Sequence, residues 1–374
     1  MFSSRSIQSN LTFKDKVFSV DYILVLSILI LGIISMFAMY STDGGSFAYH
    51  TKSHILRFIV FFSLFLIISF FSIKFWFQSS LLIYFIFFLL LLGVKYFGLT
   101  SSGSQRWINL YVINLQPSEL MKIGLILFLA KYYHRIPVSD VNRFKFLFLP
   151  LICVSAPALL VMSQPDLGTA ILIVAGGIIV AWLAGIKFKF FAYISIIFLA
   201  LAPIAISFLK PYQKERILTF INPDRDPLGA GYQIIQSKIA IGSGGLFGKG
   251  FLNGSQSYLD FLPEKHTDFI FTLFSEEFGF FGSVFILLLY STILSRIVKI
   301  GHETRSNFGK LYCYGFAGSF FVYVVVNMGM VLGLLPIVGA PLPIMSYGGS
   351  SMLAIMLGLG IVMSCKIYKD APVN

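Results

Sequence analysis

Charge is scarce in this 374-residue chain: Asp and Glu together number 16, and charged residues of both signs make up 12%. Soluble domains carry about 25% charged and roughly 45–50% apolar residues. Here 57% of the residues are hydrophobic, including 41 Phe, which excludes an ordinary soluble domain and points to a protein built for lipid. Cysteine is also scarce. Cys153, Cys313 and Cys365 lie within or at the ends of apolar runs and have no paired spacing, which argues against a disulfide framework or a cysteine-based metal site. The sequence shows no Gly-Lys-Ser/Thr phosphate loop, no dinucleotide fingerprint and no zinc-type His or Cys cluster. The net charge of +12 comes from basic residues set mostly in short loops between apolar runs. That pattern speaks for membrane topology and against a nucleic-acid partner.

What the chain has in abundance is long apolar segments, each near the roughly 20 residues that a spanning helix needs. Ten are expected, near 22–40, 55–73, 77–95, 118–133, 147–163, 169–186, 190–208, 268–297, 311–334 and 350–366. The first is too long for a signal-peptide core and lacks a convincing cleavage site, so it reads as a retained span. With the N-terminus inside, sixteen Lys and Arg fall in inside segments and four in short outside ones, so both termini are expected in the cytoplasm. The expected fold is an all-α integral membrane protein, a bundle of about ten transmembrane helices over 22–366. A tail of 1–21 precedes it and one of 367–374 follows. Residues 209–267 form a long extracytoplasmic loop between helices 7 and 8. That loop holds "IGSGGLFGKGFLNGSQ" and "QIIQSKIAI", the second able to form a short helix in or dipping into the interface.

Three stretches on the expected outer side end a loop with Pro and an acidic residue and then enter an apolar helix. They are "SQRWINLYVINLQPSELMKIG", "SQPDLGTA" and "LPEKHTDFIF". Pro117 and Ser118 read as helix-start signals. Glu119 and Lys122, three apart, share a helix face inside an apolar segment, as a structural ion pair or as a functional pair. Asp166 fits a tight turn or a substrate contact. Asp268 is the sharpest candidate, because Thr272, Ser275 and Gly279 follow it at helical spacing and make a polar stripe expected to face a cavity. His266 reads as a loop histidine, and Glu264 with Lys265 as a salt-bridged loop pair or part of the site. A lone carboxylate beside Arg106, Lys122, Lys249 and Lys265 suits an anionic substrate, with the carboxylate as base and the cations at a leaving phosphate.

"NLQPSELMKI", "SQPDLGTAIL", "DPLGAGYQIIQSKIAIGSGGLFGKG", "FLPEKHTDFIF" and "PLPIMSYGGSSM", in that order, resemble the SEDS family of bacterial cell-wall polymerases over about residues 20–368. Within it, "GSQSYLDFLPEKHTDF" is similar to the RodA-type elongation branch rather than the FtsW-type division branch. The resemblance implies a peptidoglycan glycosyltransferase in the bacterial cytoplasmic membrane. It would polymerise undecaprenyl-linked lipid II at the outer face, with Asp268 as the catalytic residue. Glu119, Lys122 and Asp166 fall on further family positions. It also implies a class B penicillin-binding protein and other elongation-complex membrane proteins as partners, and support by a divalent cation, Mg or Mn, whose site is unknown. The rival expectations are a lipid II flippase, a division-type polymerase, and a scaffold for the penicillin-binding partner.

Overall fold

The structure, a computed structural model, describes residues 12–101, 104–109, 114–207, 229–255 and 264–373 together with a few isolated positions between them. Parts of the expected 209–267 loop therefore lie outside the described residues, as do Phe261 and Pro263 of the "FLPEKHTDFIF" motif and the last two residues of "GSQS".

A short capped helix, α1 (Phe13–Phe18), precedes seven longer helices. These are α2 (Tyr22–Thr42), α3 (Tyr49–Ser69), α4 (Ile73–Phe97), α5 (Pro117–His134), α6 (Phe144–Ser163), α7 (Leu167–Leu183) and α8 (Phe188–Ser207). Then come α9 (Ala230–Ser243), α10 (Ile270–Glu303), α11 (Asn307–Val331) and α12 (Gly349–Ile367). Seven of the described helices are long and apolar enough to cross a membrane: α2, α3, α4, α6, α10, α11 and α12. With α5, α7 and α8 they complete a bundle of about ten helices whose termini meet at one end. Several helices begin before the expected spans; α3, for example, opens at Tyr49 and carries Lys52 and Arg57 in its first turns.

The all-α expectation misses one feature. Between α4 and α5 lies a small antiparallel sheet in the order β1 (Leu99–Ser101), β2 (Ser104–Asn109) and β3 (Asn114–Leu115), with Leu99 opposite Trp107 and Ile108 opposite Leu115. It marks the end of the bundle opposite the termini and carries Arg106.

Helix α5 runs through the middle. Pro117 starts it, and every residue from Pro117 to Ala130 is buried against α4, α7, α11 and α12. Its charged residues therefore face protein and not lipid, the arrangement that makes ionisable groups tolerable at membrane depth. The outward faces of α2, α3 and α4 instead expose Leu26, Phe37, Leu56, Leu82 and Leu89, as lipid-facing helices do.

The eighth expected span is two structures in one. Helix α10 has 34 residues, about 50 Å if straight, well beyond the roughly 30 Å of a hydrocarbon core. It breaks at Gly279, whose φ of 67° is left-handed. The half before the break, Ile270–Glu277, is entirely buried, whereas Phe280, Phe281, Phe285 and Leu288 beyond it are exposed. The backbone groups opened by the break pair with the segment after α9. Phe280 N donates to Gly245 O at 2.9 Å, Lys249 N to Glu276 O at 3.0 Å and Gly250 N to Glu277 O at 3.0 Å. Irregular backbone persists in a membrane protein where protein satisfies it, and α9 with its Gly-rich tail provides that here.

Candidate active site at the strand-bearing end

Asp268 lies in the turn 264–269, two residues before α10 begins, and is half-buried. Three successive carbonyls fix this turn. Tyr347 N donates to His266 O at 2.8 Å, Ser346 Oγ to Thr267 O at 2.6 Å, and Asn327 Nδ2 to Asp268 O at 3.0 Å. Asn327 Nδ2 also donates to Ala340 O at 2.7 Å, and Ser346 Oγ accepts from Leu342 N at 2.7 Å. The "PLPIMSYGGSSM" loop and α11 thus clamp the backbone on which the Asp268 carboxylate is mounted. Ser346, Tyr347 and Asn327 are the positioning residues that reading the sequence for charge overlooked. Their signal was the quoted loop motif, together with an Asn inside an otherwise apolar helix.

Beside this turn stands a buried triad. Lys122 Nζ lies 2.8 Å from Glu119 Oε1 and 2.5 Å from the Tyr323 hydroxyl. Tyr323 Oη lies 2.7 Å and 2.8 Å from the two Glu119 oxygens. Tyr323 and Asn327 are four apart on α11, so one helix face serves both the triad and the Asp268 turn.

Asp166 caps α7, accepting from Thr169 N at 3.1 Å and Thr169 Oγ1 at 2.9 Å. Gln116 Nε2 donates to it at 3.1 Å, and Arg106 NH1 lies 3.7 Å away. Arg106 also donates to Gln164 O and Pro165 O. Gly168, in the first turn of α7, abuts the Val338 carbonyl, and Gly339 approaches Asp268 Oδ2. Residues 338–340 therefore bridge the Asp166 cap to the Asp268 turn. Arg106, Glu119, Lys122, Asp166 and Asp268, drawn from distant parts of the sequence, converge on one region.

Other expected site residues lie elsewhere or serve packing. Lys249 Nζ pairs with Glu276 Oε1 at 2.5 Å and Ser255 Oγ at 2.8 Å, which locks the tail of α9 onto the first half of α10. Of the four cations expected to meet an anion, Lys122, Lys249 and Arg106 are thus engaged in internal ion pairs, with Lys122 fully enclosed and Lys249 and Arg106 partly exposed. The Thr272 hydroxyl is bonded to Ser237 Oγ of α9 at 2.7 Å, and Ser275 bonds Phe271 O and Ser283. The polar stripe after Asp268 consequently packs against α9 instead of facing a cavity, because the break at Gly279 turns that half-helix inward. Glu264 is exposed and accepts from the Thr267 hydroxyl at 3.0 Å, and Lys265 is half-buried in the same turn.

His266 has a more specific environment than a loop histidine. Its ring stacks on His50 at 4.1 Å, and its Nδ1 lies 3.9 Å from Asp43 Oδ1. His50 Nδ1 is 3.3 Å from the same oxygen. Burial raises the Asp43 carboxyl, but hydrogen bonds from Thr51 and the nearby His266 and His50 outweigh it and hold the carboxyl below its usual value. The absence of a His cluster inferred from the sequence is thus corrected: folding brings His50 and His266 together although no local spacing announces it. A cavity of about 740 Å³ lies at the opposite end, near both termini, lined by Asp21, Arg296, Lys366 and Asp370 among others. It holds none of the site residues above.

The family profile described as "Cell cycle protein", covering FtsW, RodA and SpoVE, matches residues 16–371. The chain belongs to this family. It is 45% identical over 281 residues to peptidoglycan glycosyltransferase MrdB of Escherichia coli K12, covering 74% of this chain and 75% of that one. It is 34% identical over 369 residues to stage V sporulation protein E of Bacillus subtilis 168, covering 98% and 92%. Among solved structures, a chain of a peptidoglycan synthase complex that coordinates polymerization and crosslinking superposes with TM-score 0.81 at 30% identity, covering 94% of this chain and 99% of that chain. Thermus thermophilus rod shape determining protein RodA gives TM-score 0.72 at 27% identity, covering 94% and 98%. The fold described above is therefore shared with these solved structures.

Proposed function

We propose that this chain is a peptidoglycan glycosyltransferase of the elongation type. It polymerises lipid II into glycan strands at the outer face of the bacterial cytoplasmic membrane. The observation that carries this reading is the mounting of Asp268: one half-buried carboxylate on a turn whose three carbonyls are all held, at one end of a bundle whose outward faces are apolar. The names of the relatives support the same reaction class.

In the proposed reaction the 4-hydroxyl of an acceptor GlcNAc attacks the anomeric carbon of a MurNAc that bears undecaprenyl diphosphate. Asp268 takes the hydroxyl proton as the new glycosidic bond forms, and the diphosphate leaves with its electron pair. The linkage passes from α-diphosphate to β-glycoside, so one inverting displacement suffices. Rigid mounting matters because a base misplaced by about 1 Å can cost on the order of 10² in rate. Arg106, on the central strand β2 and 26% exposed beside Asp166, is the cation best placed to meet the leaving diphosphate. A divalent cation of the Mg or Mn class would add charge neutralisation there. Glu119, Lys122 and Tyr323 hold the scaffold on which Asp268 and Asp166 sit.

The basic residues at the terminus-bearing end support a cytoplasmic position for that end, with residues 1–21 and 367–374, and an outside position for the 209–267 loop. A class B penicillin-binding protein is the proposed partner, in line with the synthase complex among the structural relatives, together with other membrane proteins of the elongation complex. The test is polymerisation of fluorescent lipid II by the purified chain, with and without that partner. A ladder of glycan products supports the proposal. Translocation of lipid II in proteoliposomes without any polymer would support the flippase instead.

A further inference from the structure

Asp43, His50 and His266 bring one carboxylate oxygen and two imidazole nitrogens to within 4.8 Å of one another. They come from the turn after α2, the first helical turn of α3 and the turn that carries Asp268. The Asp43 side chain is 4% exposed, His266 17% and His50 40%, so the cluster is enclosed on the protein side and open on one.

The carboxylate is already oriented. Thr51 N at 2.8 Å and Thr51 Oγ1 at 2.6 Å both donate to Asp43 Oδ2, which leaves Oδ1 directed at the two imidazoles. A ligating carboxylate braced from behind in this way is a common feature of built metal sites. The two rings lie nearly parallel, 15° apart at 4.1 Å, with both Nδ1 atoms toward the same oxygen. A metal is bound in the plane of an imidazole ring, so binding turns the His50 ring, 40% exposed, out of the stack until both in-plane lone pairs meet the ion. The Tyr347 ring closes one side edge-on to His50 at 5.2 Å, with Arg57 stacked on its face at 4.5 Å. The Thr42 hydroxyl, 3.0 Å from His266 Nδ1, is the contact that an ion would displace.

We propose that Asp43, His50 and His266 form a binding site for a divalent transition cation of the zinc class. Two nitrogens and one oxygen suit zinc, whose sites with three protein ligands keep a fourth position for water. Magnesium prefers an all-oxygen, octahedral shell. The ion ties the α2–α3 connection to the 264–269 turn, two residues before Asp268, and so adds a fourth restraint to a turn already held by Tyr347, Ser346 and Asn327. The site goes beyond the polymerase proposal and does not depend on it, because it rests on donor geometry alone.

The test is Co²⁺ titration of the tag-free, full-length chain in detergent, read by visible absorption and by thermal melting. The expected result is one Co²⁺ per chain with a spectrum lacking sulfur-to-cobalt charge transfer, displaced by Zn²⁺ but not by Mg²⁺ at the same concentration. Zn²⁺ should also raise the melting temperature of the wild type. His50→Gln, at the most exposed ligand, and Asp43→Asn should each weaken Co²⁺ binding by about 10-fold or more and abolish the Zn²⁺-dependent melting shift. His50→Gln should melt at the wild-type temperature in the absence of metal, which separates ligand loss from unfolding. No stoichiometric Co²⁺ uptake, uptake unchanged in His50→Gln, or a thiolate spectrum from Cys153, Cys313 or Cys365 would each overturn the proposal.

Discussion

The Tyr323 hydroxyl, on α11, lies 2.7 Å and 2.8 Å from the two carboxylate oxygens of Glu119, on α5. With Lys122 it makes a closed triad whose side chains are almost wholly enclosed. Removing one member of such a buried pair leaves a charge without compensation, at a cost of about 3–5 kcal/mol. Glu119→Gln should therefore lower both the yield of folded protein and its melting temperature. Tyr323→Phe, which keeps the ion pair, should cost less, about 1–3 kcal/mol. A Glu119→Gln protein with wild-type melting but no polymerase activity would instead assign Glu119 to the chemistry.

Gly279 holds a left-handed backbone, and a Cβ there would collide with Gly248 N and Leu246 O. This backbone conformation, φ 67° and ψ −158°, alone costs a non-glycine residue roughly 1–3 kcal/mol, and the collision adds to it. Gly279→Ala should separate the α9 tail from α10, which limited proteolysis near Gly248 would detect as faster cleavage. Wild-type protease resistance would show that the break tolerates a side chain.

Asn327 donates to the carbonyls of Asp268 and Ala340 from one amide nitrogen. Asn327→Leu keeps the bulk and removes both bonds. Polymerase turnover should fall by about 10-fold or more with lipid II binding little changed, since misplacement of a base affects the transition state chiefly. Weakened binding with an intact turnover rate would contradict the positioning role.

Much of the bundle was legible in the sequence because lipid imposes a simple rule: long apolar runs become helices and basic residues mark their ends. Glu119 and Lys122 were also legible as a pair, since three-residue spacing fixes a shared face. Their third partner was not, because Tyr323 is an unremarkable residue of another apolar helix. Helical spacing puts Thr272 and Ser275 on one face, and that face is buried instead of wet. Periodicity identifies a face, but only the docking of α9 decides what covers it. Gly279 was counted in that stripe as a small residue, whereas its role is to break the helix. The strands around Arg106 are too short for alternation to show. His50 and His266 sit in separate motifs, and only the fold makes them neighbours.

Topology offers a separate check. A reporter placed at Arg305, between α10 and α11, should read cytoplasmic, and one placed at Gly254 should read outside. The opposite pair of signals would invert the assignment of Asp268 to the outer face.

Substituting Asp268 by Asn keeps the shape of the side chain and removes the proton acceptor, while the three held carbonyls of its turn remain in place. The decisive measurement is the rate at which purified Asp268→Asn, with the proposed penicillin-binding partner, polymerises labelled lipid II, compared with wild type at equal melting temperature. Loss of a general base typically lowers the rate by about 10²–10⁴, so little or no polymer is predicted alongside near-normal lipid II binding. A rate within a few-fold of wild type would contradict the assignment of Asp268 as the base.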